Sequence, residues 1–426
     1  MSLDVPTTPP PRRAALAFIF VTVALDVLAI GIVIPVLPML VESFLGGDTA
    51  AAARVFGLFA AAWAFMQFIF SPLLGALSDR FGRRPVIMFG NFGLGLDYVL
   101  MALAPTLGWL FVGRIISGMA GATWTTAAAY IADVSKPEER AAAFGRIGAA
   151  WGLGFILGPA LGGVLGGINP RLPFWVAAGL TLLNATYGLF ILPESLPRER
   201  RSKLDLRRAN PLGALTLLRQ HRGLLGLATV VFLFWFSHQI LTSVFVLYGN
   251  YRYGWTATVV GLTLAGVGLC STIVQAALVR PIVARFGERR SLMTGLICGA
   301  IGYTGYGLAP SAGWFWATIP IFAFMGLHGP SMQSLMTRRV GVGEQGRLQG
   351  AISSIMGITG MLGPPLFTGV FAHFIGEGAS LHLPGAPFLF GTVLIGIALI
   401  VAERSTRESR ATVEPGVAPG EAGAAS

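Results

Sequence analysis

Gly75-Ala76-Leu77-Ser78-Asp79-Arg80-Phe81-Gly82-Arg83-Arg84-Pro85 is a compact basic interruption between two long apolar runs. Part of it returns 205 residues later, where Arg80-Phe81-Gly82 reappears as Arg285-Phe286-Gly287. The same offset carries Gly158-Pro159 onto Gly363-Pro364, Glu139 onto Glu344 and Gly145 onto Gly350. One offset shared by separated sites reads as an internal duplication.

The medium around the repeat follows from composition. Of 426 residues, 54% are hydrophobic and 12% charged, with a mean hydropathy of +0.70. In water such a chain would expose large apolar patches, so lipid is the fitting solvent. A spanning helix needs ~20 mostly apolar residues. Apolar segments fall at about 14–36, 52–76, 86–104, 108–132, 141–167, 172–192, 223–248, 257–279, 290–308, 313–336, 347–372 and 386–402. In lipid each must be a helix, because a helix satisfies its backbone internally. The expected fold is an all-α membrane protein with twelve transmembrane helices in two six-helix pseudo-repeats, spans 1 to 6 and 7 to 12. The expected organisation is a disordered cytoplasmic N-terminus at 1–13, a six-helix half at 14–192 and a cytoplasmic linker at 193–222. A second six-helix half follows at 223–402, then a disordered tail at 403–426.

The net charge is +11. In a soluble protein this would point to nucleic acid, but here the basic residues sit in short loops, where they set orientation. Arg80, Arg83 and Arg84 follow span 2, and Lys136, Arg140 and Arg146 follow span 4. Eight basic residues occupy the linker. Arg285, Arg289 and Arg290 follow span 8, and Arg338, Arg339 and Arg347 follow span 10. The opposite loops hold Arg54, Arg171 and Arg252; setting these and the intramembrane Arg114 aside leaves 26 of the 30 on one side. Both termini are therefore expected in the cytoplasm, with the chain a multi-pass protein of a bacterial inner membrane. The end of the linker, Asn210 to Gln220, reads either as an amphipathic helix on the inner leaflet or as a solvated basic loop. Cys270 and Cys298 lie inside apolar runs and form neither a disulfide framework nor a metal pattern.

The loop quoted first resembles the signature loop of the major facilitator superfamily. Gly82 permits a tight turn, the arginines anchor at the inner leaflet, and Asp79 can sit against a helix N-terminus in the outward-open state. Gly75, Asp79, Arg80, Gly82, Arg83 and Arg84 are thus gating candidates; the second copy has Ala284 where the first has Asp79. Span 4 carries Arg114-Ile115-Ile116-Ser117-Gly118, similar to the family's fourth-helix motif, and ends at Asp133. Arg114 either faces protein or water or snorkels to the outer interface; Asp133 either shares the motif's role or is a solvated end residue. Span 5 places Gly145, Gly154, Gly158, Pro159, Gly162 and Gly163 in the pattern of the antiporter branch. Such glycines let helices approach closely, and Pro159 kinks the helix.

Asp26 in span 1 and Asp97 in span 3 lie about eleven or twelve residues from the cytoplasmic ends of their helices, ~17 Å deep at 1.5 Å per residue. Near the midplane, a carboxyl group either exchanges protons at neutral pH or is held permanently by hydrogen bonds. Between Gly223 and Ala402 the acids are Glu288, Glu344 and Glu377, all in predicted loops. Carboxylate coupling is therefore expected in the first half alone. The second half offers His238, Gln239, Gln275, His328 and Gln333, each able either to contact substrate or to satisfy neighbouring backbone.

Leu25-Asp26 with Gly31, Pro35 and Pro38, then Asp97-Tyr98, Gly249-Asn250-Tyr251-Arg252-Tyr253-Gly254-Trp255, Arg285-Phe286-Gly287-Glu288, Gln345-Gly346-Arg347-Leu348-Gln349-Gly350 and Gly363-Pro364 together resemble the bacterial tetracycline/proton antiporters. The likeness covers nearly the whole chain. Asp26, Asp97, Gln239, Gln275 and Gln333 occupy positions like that family's polar membrane residues. Those transporters also carry an acid in the ninth span, in a segment resembling Gly295 to Tyr303; here the matching residue is Gly299. The resemblance implies a secondary transporter that exports a small amphipathic molecule or drug in exchange for protons, by alternating access. It implies no cofactor, the proton gradient as energy source, and small-molecule substrate and bilayer as the only partners of a functional monomer. No metal site is expected. Lys136 and Lys203 each follow serine, so no Gly-Lys-Ser/Thr phosphate loop exists; with no zinc motif or nucleophile elbow either, neither an ATP-driven pump nor an enzyme is expected. An uptake symporter is the rival transport reading, against which the span-5 pattern argues. A non-transporting receptor on the same fold is the rival outside transport, against which the midplane carboxylates argue.

Overall fold

The computed structural model describes residues 12–136, 138–202 and 213–411. The expectations for the N-terminal segment before Arg12, for linker residues 203–212 and for the tail from 412 onward lie outside these residues. Among those described, every regular element is helical. Nine helices there are long and apolar enough to cross a membrane, and twelve spans result for two reasons. One 52-residue apolar stretch, Ala257–Leu308, holds spans 8 and 9, divided by non-helical backbone at Gly287. Spans 4 and 10 are each built from shorter pieces. Span 4 is Leu107–Gly121 followed by Trp124–Val134; span 10 is Ala312–Ala323, a 3-10 turn at Phe324–Leu327, and His328–Thr337.

The duplication is visible in the backbone. Gly82 and Gly287, related by the 205-residue offset, have φ/ψ of 108°/158° and 78°/164°. Side chains rarely tolerate that region, which accounts for glycine ending Arg-Phe-Gly in both copies. Gly82 alone joins span 2 (Thr49–Phe81) to span 3 (Arg83–Leu103). The break in span 4 recurs as well: shifted by the offset, Thr123 falls on His328, where span 10 resumes its α-helix.

Lipid explains the outer surface. Phe190 is 79% and Phe89 68% exposed, positions that water would disfavour and hydrocarbon accepts. Inside the second half, Tyr248, Tyr306, Phe315 and Phe388 are buried. The Tyr248 hydroxyl donates to the Tyr306 carbonyl at 2.8 Å, so this polar tip is matched within an apolar core.

The halves meet along two seams: span 2 against span 11 (Gln345–Ile375), and span 5 (Arg140–Ile168) against span 8. Both seams are tight at the end remote from the linker. Gly57 faces Thr368 and Pro365, Gly163 faces Ala257 and Gly261, and Thr258 Oγ1 donates to the Gly163 carbonyl across the halves at 3.1 Å. Toward the linker-bearing end they part. A Cβ at Gly152 would still find Thr272 Oγ1 at 3.5 Å, whereas at Gly148, Gly145 or Gly75 it would meet nothing within 4 Å. The molecule thus opens toward the end that carries the linker.

The linker grips that end from both halves. Glu194 Oε1 accepts from the Arg83 amide at 2.9 Å, and the Ser202 amide donates to the Asp79 carbonyl at 3.0 Å. At its far end, Thr216–Gln220 is a five-residue helix whose Leu217 and Leu218 are buried in the protein core. His221 Nε2 lies 3.1 Å from Glu344 Oε2, and Arg347 donates to Gln220 Oε1 at 3.2 Å. The apolar face of this segment therefore covers the start of span 11 and does not lie on lipid.

Candidate functional site

Three groups of polar residues stand out, one in each half and one at the linker-bearing end. In the first half, Asp26 projects from span 1 (Arg12–Val33) toward span 6 (Leu172–Ile191), where Asn184 Nδ2 donates to its Oδ1 at 3.0 Å. The same amide donates to the Thr22 carbonyl at 3.2 Å, which fixes its orientation. Asp97 on span 3 is 1% exposed, and neither carboxylate oxygen has a hydrogen-bond partner. It points at span 4, where a Cβ on Gly113 would stand 2.9 Å from Asp97 Oδ1. Arg114, the next residue, is within electrostatic reach of Asp97 without pairing to it, and its guanidinium lies 5.5 Å from the Trp63 ring. Tyr98 lies within electrostatic reach of Asp97 and Arg114 and, more weakly, of Asp26. The two acids thus flank Tyr98 while facing different neighbours, Asn184 for Asp26 and span 4 for Asp97. Gly118 lets span 4 close on span 2; a Cβ there would meet the Trp63 carbonyl at 2.6 Å.

At the linker-bearing end, Arg83 bridges two carboxylates, Asp79 at 2.5 Å and Asp133 at 3.1 Å, and donates to Ser78 Oγ at 2.7 Å. Its side chain is only 11% exposed, so Asp133 is a paired residue and not merely a solvated helix end. Ser195 of the linker adds a bond to Asp133 at 3.2 Å, and Arg84 donates to the Leu189 carbonyl. Arg80 lies over Phe81.

Span 5 has two glycine faces. Gly154, Gly158 and Gly162, spaced by four, meet span 1 at Val27, Gly31 and Ile32. Gly163 and Gly167 instead meet span 8 of the other half, at Ala257 and Thr258, and the Pro159 carbonyl approaches Gly261. Small residues on both faces let one helix serve two interfaces. Gly145 touches neither.

The second half contains a cavity of about 420 Å³. Phe234, Trp235 and His238 of span 7 (Arg222–Ser243) line it with Gln275 of span 8 and His328 and Gln333 of span 10. Gln275 sits in a π-helical turn, Val274–Leu278, a device that often re-aims a side chain at functional sites. Gln239 is the exception among the predicted polar residues: it packs on Gly363 of span 11 and bonds Thr242 at 3.1 Å, outside the cavity lining. Gly299 lies behind the cavity wall, where a Cβ would stand 2.9 Å from Met325 Sδ.

The sequence pattern of the Major Facilitator Superfamily matches residues 19–364. The chain belongs to that superfamily. It is similar to the class C tetracycline resistance protein of Escherichia coli, 38% identical over 386 residues, covering 88% of this chain and 96% of that one. It is also similar to the class G protein of Vibrio anguillarum, 35% identical and covering 90% and 100% of the two chains. Among solved structures, a bacterial homologue of the human lysosomal transporter Spinster, inward-facing and occupied, superposes with a TM-score of 0.74 at 16% identity, over 94% and 98% of the chains. This superfamily member is a secondary transporter working by alternating access, and not an enzyme.

Some of the site escaped the sequence reading. Asn184 and Glu194 carried no motif that pointed to them. The pairing of Glu288 with Arg338 was within reach: adding the 205-residue offset to Arg83 and Asp133 lands on those two residues.

Proposed function

We propose that this transporter exports a small amphipathic compound from a bacterial cytoplasm in exchange for protons, with Asp26 and Asp97 as the proton-carrying groups. The observation that carries the reading is the burial of Asp97, a midplane carboxyl without a hydrogen-bond donor, next to the unpaired Arg114. A carboxylate so placed gains from protonation when its cationic neighbour withdraws and loses the proton when it returns. Asp26, held by Asn184, supplies a second site in the same half.

In this reading the two halves rock about the seams of spans 2, 5, 8 and 11, and the linker-bearing end is cytoplasmic. The loop from Gly75 to Arg84 gates that end, and the glycines of span 5 form the bearing surface. Gln275, Gln333 and His238 contact substrate, and Gln239 supports span 11. The protein acts as a monomer in the inner membrane, and the proton gradient drives it without a cofactor. Because its relatives are tetracycline resistance proteins, tetracycline is the first compound to test.

Everted membrane vesicles energised with a proton gradient should accumulate tetracycline, and Asp26→Asn and Asp97→Asn should each abolish that accumulation. Normal accumulation by both variants would remove the coupling assignment.

A further inference from the structure

Asn184 stands behind Asp26. It is 1% exposed, whereas Asp26 is part-exposed. The Asn184 amide nitrogen directs both its hydrogens at span 1, one to Asp26 Oδ1 at 3.0 Å and the other to the Thr22 carbonyl at 3.2 Å. Both neighbours are acceptors, so the nitrogen of the amide, and not its oxygen, must face them. The amide oxygen is left buried without a partner, which is costly. Span 1 therefore dictates the orientation of this amide, against the interest of its own oxygen.

A carboxyl group changes character when it takes a proton. As a carboxylate it accepts at both oxygens; as an acid it keeps one accepting oxygen and turns the other into a hydroxyl donor. The Asn184 N–H is matched by a carboxylate oxygen or a carbonyl oxygen, and not by a hydroxyl hydrogen aimed at it. For Asp26 to take its proton at Oδ1, the amide would have to turn over, and its nitrogen would lose the Thr22 carbonyl as well. That carbonyl belongs to the backbone of span 1 and stays an acceptor whatever the carboxyl does. The other oxygen has no such constraint. Among the described residues Oδ2 has no hydrogen-bond partner, and it is not one of the enclosed side-chain atoms without a partner, which include both oxygens of Asp97. It is the accessible oxygen of the pair. Tyr98 is within electrostatic reach of Asp26 but makes no hydrogen bond to it, so the choice between the two oxygens rests with Asn184.

We infer that Asn184 is a positioning residue for Asp26: locked by the Thr22 carbonyl, its amide keeps Oδ1 as an acceptor in both protonation states, so that the coupling proton is taken up and given off at Oδ2. Loading forms an O–H bond at Oδ2 with a proton from water and leaves Oδ1 as the carbonyl oxygen; release reverses it. The inference rests on the antiport reading above and adds the atom that carries the proton and the residue that selects it.

Infrared difference spectra of the purified full chain, taken between acid and alkaline pH, resolve the carbonyl stretch of a protonated carboxyl. The band that vanishes in Asp26→Asn belongs to Asp26. In Asn184→Leu, which keeps the bulk and removes the donor, that band should move to higher frequency, because its carbonyl oxygen no longer accepts a hydrogen bond. In energised everted vesicles the same variant should accumulate about tenfold less tetracycline, the effect of one lost hydrogen bond to a charged group. Its KM should stay within about twofold, since binding in the second half is untouched. Asn184→Ser, which restores a hydroxyl donor, should recover part of both changes. If Asn184→Leu does not reach the membrane, Asn184→Ala is held to the same criteria. The infrared measurement needs no substrate and decides alone if tetracycline is not carried. An Asp26 band at the wild-type frequency in these variants, or unimpaired accumulation, overturns the positioning role while leaving antiport intact. If no band vanishes in Asp26→Asn, Asp26 carries no proton; the coupling assignment fails and the positioning role falls with it.

Discussion

Arg338 donates to Glu288 at 2.5 Å, and this pair is the charge-reversed image of Arg83 and Asp133, which are 3.1 Å apart and 205 residues earlier. The duplication has kept the contact between the start of the third helix of each half and the end of the fourth, but exchanged the signs. The reversal is electrostatically neutral within each half, since a pair attracts equally either way round. It leaves each half with its own polarity at the same structural point, and Ala284 removes the second acid that Asp79 supplies in the first half.

The two pairs should differ in worth. The Arg83 side chain is 11% exposed and holds two carboxylates, whereas Arg338 is 68% exposed and holds one. Arg83→Ala should cost about 2 kcal/mol, as for a charge-assisted bond removed from a partly buried site, and Arg338→Ala less than about 1 kcal/mol. Thermal unfolding of the purified variants in detergent checks the ranking, and equal shifts would refute it. The double exchange Glu288→Arg with Arg338→Glu should keep transport within about twofold, while Glu288→Arg alone, with two arginines facing, should not.

Hydropathy and the shared offset made twelve spans in two copies legible, because lipid imposes helical backbone wherever the chain is apolar. The interruptions at Thr123 and at Phe324–Leu327, and the π turn around Gln275, left no comparable mark. Breaks of one turn change which way side chains point without changing how apolar the segment is. The site was legible residue by residue and not as an arrangement. Asp26, Asp97, His238 and Gln333 were identifiable as polar groups out of place, but that Asp26 meets Asn184, that Asp97 meets no donor, or that His328 stacks on Phe234 depends on helix rotation. The docking of Leu217 and Leu218 was hidden for the same reason: an amphipathic pattern does not say whether lipid or protein covers its apolar side.

Closure at the end remote from the linker can be locked. A Cβ at Gly167 would stand 4.0 Å from Thr258 Cβ across the halves, within the span of a disulfide. Gly167→Cys with Thr258→Cys, in a background where Cys270 and Cys298 are replaced, should cross-link on oxidation. Transport should then stop and resume with reductant. Cross-linking that leaves transport unimpaired would show that the halves need not separate there.

Placing an acid at position 299 should change what the second half accepts. The neighbouring contact is the flexible end of Met325, with Sδ 2.9 Å from the added Cβ, so Gly299→Asp is best made together with Met325→Ala. The variant places a carboxylate behind the cavity wall that Met325 now forms. Its expected signature is a fall of about tenfold or more in the KM of the planar cation ethidium relative to that of the uncharged aromatic chloramphenicol, since one favourable charge contact contributes on the order of 1–2 kcal/mol. An unaltered KM ratio in a variant that reaches the membrane would show that charge in this cavity does not set selectivity.

Proton coupling and substrate passage should separate at Asp97. Asp97 is not among the residues that line the second half's cavity, and its carboxylate has no hydrogen-bond donor, so Asp97→Asn removes the carboxyl group and leaves that cavity untouched. Uphill accumulation should be lost, by at least about a hundredfold in the steady-state gradient, while exchange of labelled for unlabelled substrate across the membrane continues at a rate within about fivefold of wild type. That outcome follows from linkage: a ligand drives a conformational equilibrium only by binding its states unequally, and without the carboxyl the proton no longer distinguishes them. Asp26→Asn has the same expectation on a different ground: the Asn184 amide that now donates to Asp26 would face an amide that can still accept. The spans stay joined, and exchange should persist there too. If Asp97→Asn abolished exchange together with accumulation, Asp97 would be required for the rocking motion itself, and its assignment as a proton carrier would have to be given up.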